Sequence, residues 1–162
     1  MQEHIKRIRN KIEKKGINYA PPVSIETIRD FETINNIELP EELIAFYTTI
    51  CNGCIMLDGF ELLPISKWRF EKEKVSKEFI FIKPVIWENE NDFNTDEIYN
   101  GSIELIDIGD CQTWNIIVSG KEKSKMWFFT DVGMQPAAPS KSFLEWYEYW
   151  LDGNDDYFTD YM

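Results

Sequence analysis

The segment IELPEELIAFYTTICNG, Ile37 to Gly53, narrows most sharply what this chain can fold into, because it reads as a short amphipathic helix with a marked start and a marked stop. Pro40 suits the first helical position, where its missing N–H loses no bond, and Glu41 and Glu42 set negative charge against the positive end of the helix dipole. Leu43, Phe46, Tyr47 and Ile50 recur at i, i+3, i+4 and i+7 and so share one apolar face. Asn52-Gly53 then supplies residues that tolerate the left-handed backbone on which helices end. So short a helix is marginal alone and must lay its apolar face on something larger.

Two more helices are expected before it. Ile5, Ile8 and Ile12 fall on one side of the first segment, with Lys and Arg elsewhere and Gly16 as a stop, which predicts a helix with a solvated basic face. After the linker Ala20-Pro21-Pro22, Ser24 can cap a helix whose Ile25, Ile28 and Phe31 share a face until Asn35-Asn36. Strands are expected at Ile55–Leu57, Phe60–Leu63, Phe79–Ile82, Ile103–Ile108, Trp114–Val118 and Met126–Thr130, the last two joined as a hairpin. A closing helix starts near Ser142, with Glu145 completing a capping box, Phe143, Tyr147, Trp150 and Leu151 as its buried stripe, and Gly153 as its end. Helices followed by strands predict an α+β domain.

A helix led by SIETIRDFE, an LP-led helix ending in an NG turn, then ELIDIG, TWNIIVSG, KMWFFT, the Pro-containing link QPAAPS and SFLEWYEYWL occur in that order. This succession resembles the SUKH superfamily, the domain of cell-wall-assembly regulators, over roughly Ile25 to Leu151. Cys54 departs from it, standing where the family often has a second glycine. The resemblance implies a curved mixed or mostly antiparallel sheet with N-terminal and C-terminal helices packed on it. It implies one domain over residues 1–162, with a core at about 25–151, an N-terminal helix and linker at 1–20 and an acidic-aromatic tail at 152–162. Bacterial members of the family are commonly immunity proteins that bind a toxin, often a nuclease; fungal relatives suggest a regulatory or scaffold domain with an endogenous partner.

Composition limits the alternatives. A chain of 162 residues can bury one sizeable core, and twenty-four aromatic residues against four alanines call for bulky packing. The net charge of −12 disfavours direct binding to nucleic acid, where affinity comes from Lys and Arg neutralising phosphates, and suits a basic protein partner. Residues 1–15 hold six Lys and Arg against two Glu, so they carry +4 and the rest −16. With no long apolar run and no apolar stretch near its start, the chain is expected to be cytoplasmic and free of the membrane.

Catalytic chemistry finds no foothold. Cys51-Asn-Gly-Cys54 matches C-x-x-C, but it ends a helix, where the negative end of the dipole disfavours the thiolate that redox chemistry needs. Cys111 and His4 could complete a zinc site by arithmetic, and the preferred reading is buried structural cysteines with no metal. His4, the sole histidine, is expected on the solvent side of the first helix. Neither G-x-G-x-x-G nor G-x-x-x-x-G-K-[ST] is present, so no cofactor is expected, and no catalytic residue is assigned. A small hydrolase or zinc protein remains the rival of another class.

Two acidic-aromatic clusters are the candidate partner-binding residues: Trp87, Glu88, Glu90, Asp92, Phe93, Asp96, Glu97 and Tyr99 in a stretch without Lys or Arg, and Asp155, Asp156 and Tyr157 within a tail that also holds Asp152, Phe158, Asp160 and Tyr161. Acids steer a basic partner, while aromatic rings supply desolvated anchors. The alternative is a solvated loop and a tail whose rings pack back on the core. The favoured function is a protein that neutralises a toxin with a basic surface through a tight complex, without chemistry of its own.

Overall fold

The computed structural model describes residues 1–92 and 94–154, with residues 90–92 as backbone only. Among them lie four α-helices: α1 (Gln2–Lys15), α2 (Ile25–Asn35), α3 (Glu41–Thr49) and α4 (Phe143–Leu151). A small hairpin pairs β1 (Cys54–Ile55) with β2 (Glu61–Leu62). The main sheet holds β3 (Val85–Ile86), β4 (Ser102–Gly109), β5 (Gln112–Ile117), β6 (Met126–Phe129) and β7 (Gly133–Pro136), ordered β3-β7-β6-β5-β4. Each of these pairings is antiparallel, so the chain forms the expected α+β domain with helices at both ends of the sequence.

Most helix signals act where the sequence puts them. Gly16 is left-handed after α1, the Ser24 hydroxyl accepts the Thr27 amide at 3.2 Å, and the Ser142 amide donates to Glu145 at 3.0 Å. The start of α3 differs: Pro40 is the residue before the helix, and Glu42 reaches across to accept the Leu144 amide at 3.0 Å. Its charge therefore stabilises the N-terminus of α4, whose unpaired amides it satisfies. Ile25 is exposed, leaving Ile28 and half-buried Phe31 to hold α2 down.

The main sheet is covered on both faces. Ile103, Ile106, Trp114, Ile116, Met126 and Phe128 face the helices, where Phe46 meets Tyr147 at 4.7 Å and Trp114 meets Trp146 at 5.3 Å between ring centres. On the other face Ile117, Trp127, Phe129 and Met134 pack with Phe79 and Phe81. Alternation along β6 sends Met126 and Phe128 one way and Trp127 and Phe129 the other, so all four of its side chains are buried.

The second face corrects one expected strand. Phe79–Ile82 keeps a period of two, with Phe79 and Phe81 buried and Ile80 and Ile82 exposed, but it has no strand partner. It lies over the sheet, with the Phe79 ring 4.9 Å from that of Trp127, and so cannot join the ladder beside it. The strand β7 falls partly in what the sequence suggests is a Pro-containing link. Pro136 has no N–H to donate, and it stands past Met134, the last residue that β3 pairs along β7, so no ladder bond is lost there.

The basic face of α1 is not simply solvated. His4 Nε2, Arg7 Nε and Lys11 Nζ converge on the Glu148 carboxylate of α4 at 2.7, 2.6 and 2.8 Å, and Lys11 also meets Asp152 at 2.7 Å. With Ile5, Ile8 and Ile12 in the same core as α4, α1 belongs to the packed body of the domain. Hydrogen bonding from Arg7, joined by Lys11 and His4, lowers the pKa of Glu148 to about 2. A carboxyl depressed on folding contributes stability that is present above its ordinary value and lost as pH falls through the folded one. Glu148→Gln is expected to cost about 2 kcal/mol at neutral pH. It should also flatten the fall in stability between about pH 4.5 and 2, which urea midpoints measured across that range would check.

Candidate functional site

Two grooves flank the covering segment, which packs on the sheet through Phe79, Phe81, Val85, Trp87 and Ile98. The first gathers exposed isoleucines among polar side chains. Phe79 and Phe81 turn inward onto Trp127, so Ile80 and Ile82 must face out, and the edge strand β3 adds exposed Ile86. Ile80, Ile82, Pro84 and Ile86 line a groove of about 630 Å³, shared with Lys83, Asn89, Asn94 and Glu97. Exposed Val132, just before β7, and buried Gly133 line a neighbouring groove with the same Pro84, Val85 and Ile86.

The second groove is polar and lies on the same face of the sheet at its β4 edge. Ser102, Glu104 and Asp107 of β4 and Thr113 and Asn115 of β5 form its floor, with Arg69, Phe70, Glu71, Tyr99 and Phe129 around it. Its volume is about 640 Å³. Arg69 holds Glu104 at 2.9 Å and Asp107 at 3.1 Å. Burial raises the pKa of Glu104 despite Arg69, whereas the Gly109 amide, followed by Arg69, lowers that of Asp107.

The residues expected to bind a partner divide between these surfaces. Glu97 lines the isoleucine groove, while exposed Glu88 and Asp96 belong to the short 3-10 turns beside it. Tyr99 stacks on Phe129, 5.9 Å between ring centres and 27° between planes, and lines the polar groove. Trp87 is no free anchor: it is half-buried, and its indole N–H donates to the Thr130 carbonyl at 3.2 Å. The side chains of Glu90 and Asp92 lie outside the description, as do Phe93, Asp155, Asp156 and Tyr157 and the rest of that tail. Asp152 is engaged with Lys11 and so serves the fold.

Sequence reasoning missed the exposed isoleucines, although the run Phe79-Ile80-Phe81-Ile82 carried the signal: its alternation has no polar phase, so whichever pair turns inward leaves an apolar pair outside. It also missed Glu104 and Asn115, polar residues in otherwise apolar strands. Both cysteines of the C-x-x-C are buried, and Cys54 Sγ lies 3.4 Å from the Tyr147 hydroxyl and 3.7 Å from Met56 Sδ. The hydrogen bond with Cys54, reinforced by burial, raises the pKa of the Cys51 thiol. His4, expected in solvent, instead braces Glu148. Among the described residues, no three His, Cys, Asp or Glu side chains cluster as metal ligands, and no helix is long and apolar enough to cross a membrane.

The chain is thus an α+β domain with one groove beside the exposed isoleucines of residues 80–86 and a second floored by polar side chains of β4 and β5. Comparison with models of protein families, with curated proteins and with solved structures found no match.

Proposed function

We propose that this chain is an immunity protein of the SUKH type, which neutralises a toxin with a basic surface, plausibly a nuclease, by forming a protein–protein complex in the cytoplasm. The observation that carries the reading is the groove of Ile80, Ile82 and Ile86 set beside the acidic turns of Glu88, Asp96 and Glu97. Apolar side chains at the centre of an interface hold a partner, while acids at its rim speed the approach of a basic one. A nuclease face that grips a polyanion is basic, and a chain of net charge −12 complements it. The succession of helices, hairpin, sheet and closing helix further supports the family resemblance.

The test is co-expression with the toxin-like product of the adjacent gene, scored by survival and by purification of a complex. Survival no better than with an empty vector, together with no complex, would overturn the reading. Within the complex, Ile82→Asp is expected to weaken binding at least tenfold, roughly the effect of losing 1.4 kcal/mol, mainly through faster dissociation. Asp96→Asn with Glu97→Gln should instead slow association and reduce its salt dependence, as stopped-flow mixing at several ionic strengths would reveal.

A further inference from the structure

The polar groove interrupts an otherwise apolar sheet face. Toward β7 that face buries Ile117, Trp127, Phe129 and Met134 with Phe79, Phe81, Val85, Trp87 and Ile98, yet at the β4 edge the same face turns to Ser102, Glu104, Asp107, Thr113 and Asn115. Asn115 sits at the centre of β5, opposite Glu104 on β4, and is only 4% exposed. Its Oδ1 accepts the Thr113 hydroxyl at 2.7 Å, while its Nδ2 has no hydrogen-bond partner among the described residues and belongs to a side chain lining the groove. Such an amide N–H₂ takes its acceptor from water or from an occupant of the groove.

Glu104 poses the matching demand. Its side chain is 18% exposed, its Oε1 is held by Arg69, and its Oε2 has no hydrogen bond among the described residues. Burial raises its pKa despite the opposing charge of Arg69. Glu71, Asp107 and Asp110 add further negative charge against Arg69, the one lining cation among the described residues, which disfavours any phosphate-bearing occupant. Phe70, Tyr99 and Phe129 place aromatic rings beside these acceptors. Planar cations stack on such rings, and among side chains arginine combines that with donors in a fixed fork. The fold already shows the match, since Arg69 bridges Glu104 and Asp107 with one guanidinium nitrogen.

We infer that this groove receives an arginine-bearing extended segment of the basic partner, with the incoming guanidinium on Glu104 Oε2 beside Tyr99 and a main-chain carbonyl of that segment accepting from Asn115 Nδ2. The inference rests on the reading of the chain as a toxin-binding protein and adds a second contact, apart from the isoleucine groove. Cross-strand neighbours such as Glu104 and Asn115 have Cβ atoms about 5 Å apart, close enough for one residue of the segment to reach both.

The experiment titrates the whole protein with N-acetyl-arginine methylamide, following the Asn115 side-chain N–H₂ signals by NMR. A saturable shift is expected. The response should be at least about tenfold weaker with the uncharged citrulline analogue, the effect of losing one charge-assisted hydrogen bond, and similarly weakened in Glu104→Gln. No saturable shift at Asn115, or equal affinity for the citrulline analogue, would overturn the site in the wild-type protein alone, whatever the variant does. Absence of any toxin complex while the arginine probe still saturates would count against the immunity reading and leave the arginine site standing. An intact toxin complex without the probe response would overturn the site alone.

Discussion

Replacing Trp127 with alanine is expected to lower the stability of the folded chain by about 4 kcal/mol, as for other fully buried tryptophans. For a domain of this size that corresponds to a fall in melting temperature of roughly 12 °C. Trp127 is fully buried, and its indole N–H donates to Glu122 at 3.3 Å. Its ring is the surface on which Phe79 rests, and through Phe79 and Phe81 it holds the segment that carries the groove of Ile80, Ile82 and Ile86. Phe46→Ala on the opposite face should cost a similar amount, because Phe46 is equally buried between Tyr147 and Phe143. The two variants separate in hydrogen exchange: amides of residues 79–86 should lose protection in Trp127→Ala beyond what global unfolding explains, and should not do so in Phe46→Ala. Equal loss in both would mean that the covering segment does not depend on its contact with Trp127.

The contrast between these two faces also explains what could be read in the sequence. Helices α1, α2 and α4 and strands β4, β5 and β6 were legible because each carries a local signal: a period, a cap, or an apolar run between turns. Phe79–Ile82 misled because alternation reports which side chains are buried and not whether another strand lies alongside. The short β7 was hidden because Gly133 and Pro136 are poor strand formers, and their pairing depends on neighbours distant in sequence. His4, Arg7 and Lys11 likewise look like a solvated face until Glu148, more than 135 residues away, is brought to them. The acidic turns were visible as composition, but the isoleucine surface beside them was not, since it exists only once Phe79 and Phe81 have chosen the inward side. Asn115 is the extreme case. In the sequence it is one polar residue in TWNII, and only burial shows half of its amide to be without a partner among the described residues.

Gly101→Ala is the other substitution with a large expected effect, a loss of about 3 kcal/mol from two separable causes. Gly101 is left-handed, at φ 59°, which an L side chain resists by about 1 kcal/mol or a little more. A Cβ there would also lie against the Ser119 hydroxyl and within 2.7 Å of the Lys77 carbonyl and 2.9 Å of the Phe79 amide. None of these neighbours is free to move: Ser119 Oγ donates to Lys77 at 2.8 Å and accepts from the Phe79 amide at 3.2 Å, while Gly101 is tied to Lys74 at 3.0 Å and to Val118 at 2.8 Å. Room for a methyl group would require displacing Phe79, and with it the segment whose outer side is the isoleucine groove. Gly16→Ala isolates the first cause, because Gly16 has nearly the same backbone, at φ 66°, with nothing within 4 Å of the new carbon. It is expected to cost only about 1 kcal/mol. Urea unfolding of the two variants therefore measures the crowding at residue 101 as a difference. If both lost the same amount, the approach of residues 77–79 to the start of β4 would contribute nothing to holding the covering segment in place.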